Sequence, residues 1–506
     1  FHGVGVLGDP LPVDHVPHAH LHLVEGVEHA VEQLGFGGLE CHDFFFDGSL
    51  RDEPVDDDGP GLTDSVGAVD GLREARVIGE AVVLQQGRER SGAAAEAERV
   101  ANWREDLHAL VAGLAAPGMT VYLRRGLITR GQKDFSKLYP AATFHPALET
   151  LESDQPRLTD AEIVLRFRQL VASGHVAHNG IDVPAGPDFR RLPVVFHWYA
   201  DGLAVDAATA DYSPARRGRV VTIGGRTPER LLAELAPFLA YENDAWLRFR
   251  AAEALREEET LRQLGLVDNA GQVTLTIEKP GQGTYPVKVA FAAPGQPFPL
   301  VPFTAPGFAA AINIPTPLFL SRPLERFYWA EYLPEKNTVY VQYAQCAENP
   351  QQPFDAFTTE VLALVDAHPV CRVILDLRGN GGGDSRVINP LRRGLESRRK
   401  KLGPVAVLIG PATFSSGVDN AIDLWRGLDA KLVGEPTGGS PRAYGEVMTF
   451  TLPHSGLIVS YTTKLEGPGL DLLTPSLEPD VRVPYTFEDA RAGRDPLLER
   501  ALALER

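Results

Sequence analysis

An α/β (α+β) fold is what this sequence predicts, and three observations lead there. After Asn337, short apolar runs alternate with amphipathic segments of helical period, the order that lays strands side by side with crossover helices between them. Residues 371–377 and 405–409 are near-continuous apolar runs, the composition of strands buried on both faces. Ahead of Asn337, capped helices and shorter strands follow one another without that regularity, which supplies the α+β character.

Regular signals begin at Trp103. Thr159-Asp160-Ala161-Glu162 is a capping box, in which the Thr159 hydroxyl accepts the Glu162 amide and the Glu162 carboxylate reaches back. Ile163, Phe167, Leu170 and Val171 then line one face of a helix expected to stop near Gly174. Asn179-Gly180 and the prolines Pro184 and Pro187 mark turns. Within 193–228, Val194-Val195-Phe196, Leu203-Ala204-Val205 and Val220-Val221-Thr222-Ile223 read as strands. Thr227-Pro228 opens the next helix, with Pro at the first helical position, where its missing N–H costs nothing. A second helix is expected over about 244–264, closed by Gly265. Residues 270–325 hold two or three strands broken by prolines. From there the α/β pattern takes over: a strand at 339–343, a helix at 354–367, strands at 371–377 and 405–409, and a helix whose inner face carries Val418, Ile422 and Trp425.

Composition excludes several classes. With 506 residues, 44% hydrophobic and 23% charged, the chain can bury a sizeable core, and two to four domains are expected. No apolar run is long enough to span a bilayer. Cys41, Cys346 and Cys371 are too few and too scattered for a disulfide framework or a zinc knuckle. The net charge of -18 is uneven: residues 1–98 carry 5 basic and 20 acidic side chains, so the remaining 408 residues are near neutral. That remainder has no basic stripe, and nucleic acid is not expected as a partner.

Residues 1–98 contain no lysine and seven of the 14 histidines. Gly and Asp clusters without helical or strand period read as a disordered or wrongly included acidic leader. His15, His18, His20 and His22 could bind a metal as a His-rich tract, although histidines in a flexible leader need do nothing. No basic stretch followed by an apolar run and a small-residue cleavage site is present, so no secretory signal is read.

Two strand-to-helix corners carry the chemistry. The first is Asp376-Leu377-Arg378-Gly379-Asn380-Gly381-Gly382-Gly383-Asp384. Its four glycines let the backbone adopt positive φ and turn several N–H groups toward one point, which is how a chain binds an anion without side chains. No Lys-Ser/Thr follows, as a phosphate loop requires, and Arg398-Arg399-Lys400-Lys401 stands where a dinucleotide site wants an acid. The second corner is Thr413-Phe414-Ser415-Ser416-Gly417. A hydroxyl there lies at a helix N-terminus, where free N–H groups and the dipole favour developing negative charge. Such a serine is often a mere N-cap, and the sequence is not the Gly-x-Ser-x-Gly elbow. A nucleophile at one corner and an oxyanion loop at the other is nevertheless the layout acyl transfer needs.

Both corners, followed by Val433-Gly434-Glu435-Pro436-Thr437-Gly438-Gly439 and Leu477-Glu478-Pro479-Asp480-Val481, occur in an order and spacing that resemble the C-terminal processing peptidase family. That family includes tail-specific proteases, tricorn protease and retinoid-binding relatives. The resemblance is specific over residues 335–490, looser over 100–330 and absent from 1–98. It implies a crotonase-like ββα catalytic core at 335–490, a helical N-terminal segment at 99–192 and a degenerate PDZ-like module with its helix at 193–265. Residues 266–334 would be a linker or small sheet, and 491–506 a C-terminal helix. The nucleophile would be Ser415, with the backbone N–H of Ser416 and one of Gly381 or Gly382 as oxyanion donors.

The base separates two mechanisms. Tail-specific members place a lysine just after the Gly-Glu-Pro-Thr stretch, and here that place reads Gly438-Gly439-Ser440-Pro441. Tricorn-like members use an upstream histidine, which falls on His178, with His175 close by. An imidazole is a competent base for a serine hydroxyl near neutrality. The orienting acid would be Glu466, with Asp471 and Glu478 as alternatives, and Lys464 would serve a Ser–Lys enzyme. Asp419, one turn past Ser415, reads as a partner of the helix dipole. The function expected is a serine-type peptidase acting on a peptide or protein, with no cofactor and no metal. A catalytically inactive binding protein on the same fold, for an apolar ligand or a peptide, is the alternative, and an acyl-CoA enzyme a weaker one.

Overall fold

The computed structural model describes residues 92–115, 121–123, 126–128, 132–182, 190–293, 301–302, 315–322, 326–465 and 467–505. Contacts divide the chain into two units, Phe1–Asn102 and Trp103–Arg506. The described part of the first is the opening of helix Gly92–Ala115. The acidic leader up to residue 91, with His15, His18, His20 and His22, lies outside the described residues, as does Glu466.

The second unit is mixed α/β. Its main sheet has six strands in the order Tyr328–Leu333, Thr338–Tyr343, Arg372–Asp376, Val405–Ile409, Lys431–Gly434 and Val481–Arg482. The first pair is antiparallel and every later pair parallel. A parallel strand needs cover on both faces, and the apolar runs provide for it. Val373, Leu375, Val405, Val407 and Ile409 bury one face in a core shared with helices Phe354–Ala367, Asn389–Arg398 and Ser416–Leu428. Ile374, Ala406 and Leu408 bury the other face against Leu497, Leu498 and Ala501 of helix Pro496–Leu502. Both signature corners therefore fall at the C-terminal ends of neighbouring strands, where open α/β sheets place their ligands.

An antiparallel sheet runs in the order Val194–Tyr199, Gly202–Ala208, Arg219–Ile223, Gln272–Lys279 and Gly283–Ala290. The last two strands thus extend the sheet that the 194–223 segments begin. Helix Asp160–Ala172 starts with the full capping box at Thr159, and helix Pro228–Leu235 with Thr227 accepting the Arg230 amide. The single helix expected over 244–264 is two, Asp244–Ala254 and Glu258–Gln263. The break at Glu257 has a long-range cause: its carboxylate pairs with Arg168 at 2.6 Å, and its backbone bridges to Arg191. Local spacing carries no trace of either partner. A third sheet joins Tyr444–Thr451, Ile458–Leu465 and Gly180–Asp182, with Ser460 opposite Gly180. No helix among the described residues is long and apolar enough to cross a membrane.

Candidate active site

Ser415 ends the loop that leaves strand Val405–Ile409, with φ 51° and ψ −131°. A non-glycine residue there is strained by roughly 1–3 kcal/mol, so its neighbours must hold it. Thr413 is fully buried, donates its hydroxyl to Leu377 O at 2.8 Å and accepts the Gly410 amide at 3.0 Å. The Phe414 amide donates to Asn380 O at 2.9 Å, and the Gly439 amide to Thr413 O at 3.0 Å. With both residues before it clamped, Ser415 has little freedom to relax. Its side chain makes no capping bond to the helix it precedes. The hydroxyl is half-exposed and hydrogen-bonds to nothing among the described residues. An ordinary N-cap serine spends its oxygen on the N2 or N3 amide. Ser416 does use its hydroxyl, on Gly383 O at 2.7 Å, while its own amide opens the helix and meets no acceptor among the described residues.

The glycine corner lies against this serine. A Cβ on Gly382, whose φ is 103°, would come within 2.7 Å of the Ser415 Cβ and 3.1 Å of the Ser416 nitrogen. Asn380, fully buried, ties the corners together. Its carbonyl accepts from Phe414, its amide nitrogen donates to Tyr343 O at 2.9 Å, and its Oδ1 accepts the Gly382 amide at 2.9 Å and the Cys346 thiol at 3.2 Å. The Gly382 N–H is thereby engaged, whereas the Gly381 N–H has no acceptor among the described residues. Cys346 is a support in this network, its thiol pushed up to about 12 by burial.

His178 follows the end of helix Asp160–Ala172. Asn179 donates to the Tyr139 hydroxyl at 3.0 Å, and that hydroxyl donates to Val171 O at 2.9 Å, fixing the turn. The His178 ring packs on Phe414 at 4.4 Å between centroids, and Trp246 stacks on Phe414 at 3.8 Å. Both imidazole nitrogens are buried without a hydrogen-bond partner among the described residues, and burial holds the ring's pKa down to about 4. His178 therefore lies against the residue before Ser415 but makes no hydrogen bond to its hydroxyl. His175 is exposed, with φ 50°, and its ring faces Tyr241 edge-on at 6.2 Å.

The remaining sequence candidates divide clearly. Lys464 pairs with Glu446 at 2.8 Å and is well exposed. Asp471 forms an exposed ion pair with Arg426 at 2.7 Å, which holds its carboxyl below the usual range. Glu478 is exposed. Gly467 lies against Asp419, since a Cβ there would meet Asp419 Oδ1 at 2.8 Å.

One acid was not anticipated. Glu242, in the turn before helix Asp244–Ala254, accepts the Ala177 amide at 3.4 Å through Oε1, next to His178. Its Oε2 is buried without a partner among the described residues, and burial raises its pKa to about 7. Asn243 beside it donates to Gly438 O at 2.9 Å and Pro475 O at 2.8 Å, holding together the loops behind Ser415. In the sequence, Glu242 differs in no way from the other acids that precede helices. No group of His, Cys, Asp and Glu among the described residues could hold a metal.

Comparison with solved structures finds mature CPAF complexed with lactacystin at TM-score 0.55 and 13% identity, over 79% of this chain and 98% of that one. Mature CPAF matches at TM-score 0.53 and 12% identity, over 79% of this chain and 96% of that one. The photosystem II D1 C-terminal processing protease overlaps 78% of this chain and 98% of its own, with 15% identity and a TM-score of 0.38. No protein-family model and no curated protein sequence matches the chain. Mature CPAF belongs to the C-terminal processing peptidase family, so the resemblance that the motifs carry holds for the fold.

Proposed function

We propose, from a chain that carries the fold of the C-terminal processing peptidase family, that it is a serine-type peptidase with Ser415 as nucleophile. The observation that carries this reading is the strained Ser415 backbone combined with a hydroxyl that caps nothing. Strain at a residue that could have been glycine points to a use for the side chain. On this reading, residues 335–490 are a crotonase-like catalytic core, and residues 193–265 form a degenerate PDZ-like module with its helix.

Ser415 Oγ attacks the carbonyl carbon of a peptide bond while its proton passes to an imidazole nitrogen of His178. Burial keeps His178 neutral near pH 7, the form a base must have. The tetrahedral oxyanion accepts hydrogen bonds from the backbone N–H of Ser416 and of the glycine corner. Of Gly381 and Gly382, Gly381 has the uncommitted N–H. Collapse of the intermediate breaks the C–N bond, and the leaving amine takes the proton from His178. Water then hydrolyses the acyl-serine by the same steps in reverse roles. An imidazolium formed in this buried place needs a carboxylate, and Glu466 is assigned to it.

Hydrolysis of a fluorogenic peptide library by the wild-type chain and by Ser415→Ala tests the proposal. Cleavage lost by about 10⁴-fold or more in the variant is expected. Cleavage at the parental rate without the hydroxyl would overturn it.

A further inference from the structure

We infer that the cavity beside the nucleophile loop is a substrate subsite for a basic side chain, lysine or arginine, with the Glu242 carboxyl as its anchor. The inference rests on the reading of Ser415 as the nucleophile.

The cavity has a volume of about 480 Å³, within the range of small-ligand sites. Glu242, Tyr241 and His175 line one side, Ser440, Arg442 and Tyr444 another, and the segment Leu472 to Pro475 a third. Its connection to the nucleophile is direct along the chain. Ser440 follows Gly439, where a Cβ would stand 3.0 Å from the Ser415 nitrogen, and Asn243 joins Gly438 O to Pro475 O. The loop that forms one wall of the cavity thus backs the Ser415 corner.

The chemistry of the lining selects the ligand. Glu242 Oε2 is a buried acceptor without a donor among the described residues, and no cation pairs with this carboxyl there. Leaving such a group unpaired costs about 1–3 kcal/mol, more when it is charged. Oε2 is covered in the free chain, so an ammonium or guanidinium engages this carboxyl by turning it toward the cavity that Glu242 lines, and then supplies the missing donors and the missing charge together. Tyr241 and Tyr444 add aromatic rings to the lining, which attract a cation, and Leu472 and Pro475 add apolar side chains for its methylene stem. A glutamine can donate to the oxygen but brings no charge, and an acidic side chain adds a like charge.

The charged and titratable groups around Glu242 come from three directions. His175, His178 and Tyr241 lie on the turns nearest it, while Arg442 and Tyr444 belong to the facing loop and strand. Tyr444 donates to Asp134 Oδ2 at 3.2 Å, and Asp134 pairs with Lys133 at 3.3 Å. Arg442 is the opposing charge in the lining, and it is exposed, so water screens it. Glu242 is half-buried with its Oε2 covered, so water screens it less. Because burial sets its pKa near 7, a cation must displace the carboxyl proton at lower pH. Binding of a basic side chain therefore tightens as pH rises through 7.

The test uses the full chain carrying Ser415→Ala, so that peptides bind without turnover. Capped pentapeptides of alanine with one Lys, Arg, Gln or Glu, placed at each position in turn, are titrated calorimetrically near pH 6 and pH 8. The expected result is a Lys or Arg peptide binding at least about tenfold tighter than its Gln counterpart at pH 8. That preference should shrink about tenfold at pH 6, with proton release, and vanish in Glu242→Gln. Arg442→Gln should keep the preference or strengthen it. Equal binding of the Lys and Gln peptides, no binding of any peptide, or a Lys preference that survives Glu242→Gln overturns the inference. A Glu preference lost in Arg442→Gln also overturns it and gives the cavity to acidic side chains. Glu242→Gln removes a buried ionisable group and keeps its shape, so an unchanged or raised melting temperature confirms that the variant is folded. Peptide cleavage by the wild-type chain reports on the nucleophile separately, so failure of the subsite and failure of the peptidase reading give different results.

Discussion

Ser415 holds a conformation that costs stability, and the cost has a measurable sign. Glycine tolerates φ 51° without strain, so Ser415→Gly should stabilise the chain by about 1 kcal/mol while abolishing any activity of the serine. A urea titration of the variant checks it, and a loss of stability would show that the backbone there is unstrained. His178 gives a second prediction. Burial lowers its folded pKa to about 4 from an ordinary 6.5, so the unfolded chain takes up a proton before the folded one does. Stability from this group is therefore present above pH 6.5 and lost as pH falls toward 4. For peptides without charged side chains, kcat/KM should stay level from pH 8 to about 5.5 and fall as pH passes through about 4. A midpoint near 6.5 would mean that the imidazole is solvated in solution. The sequence points to the serine through a local pattern, a hydroxyl at a strand-to-helix corner, and to the histidine only through the resemblance to the peptidase family. Neither leads to Glu242. Its significance comes from the Ala177 amide 65 positions away and from a cavity that four separate segments enclose.

The two corners work as one element because Asn380 spans them. Its backbone carbonyl accepts the amide before Ser415, while its side chain accepts the Gly382 amide and donates to Tyr343 O, so truncating the side chain frees the glycine corner that packs against Ser415. Asn380→Ala should lower kcat by about 10- to 100-fold with KM little changed, since positioning acts on the transition state more than on substrate binding. It should also cost about 2 kcal/mol of stability through the Gly382 amide and the Tyr343 carbonyl left without partners. A change confined to KM would place Asn380 in substrate binding instead. At this level the sequence is a good guide wherever the signal is local. The Thr159 capping box, helix Phe354–Ala367 and strand Val405–Ile409 follow from caps and apolar period alone. The interruption between Asp244–Ala254 and Glu258–Gln263 does not, because Arg168, which holds Glu257 at the break, is 89 positions distant. The pairing of Gly180–Asp182 with Ile458–Leu465, which secures the chain just after His178, is equally long-range.

Across the Trp103–Arg506 unit, the charged residues of the first corner are structural. Arg378 is buried, donates to Asp376 Oδ1 at 3.0 Å and to Asp495 Oδ1 at 2.8 Å, and lies over the Phe319 ring. Asp376 also accepts the Tyr340 hydroxyl at 2.6 Å, and Asp495 caps helix Pro496–Leu502 by accepting the Leu498 amide. This network joins the glycine corner to the C-terminal helix that covers the far face of the sheet. Asp495→Ala leaves the Arg378–Asp376 pair in place but removes a charge-assisted bond to Arg378 and the cap of the last helix, so it should cost about 2–3 kcal/mol, read as a lowered urea midpoint. A loss under 1 kcal/mol would mean that the network is open to water. The central claim is that the fold assembles an activated serine, and a fluorophosphonate probe with mass-spectrometric mapping tests it most directly. The account predicts labelling of the folded wild-type chain at Ser415, slowed by about 100-fold or more in His178→Ala and absent in Ser415→Ala. A folded chain that takes no label, or one that labels as fast without His178, would contradict it.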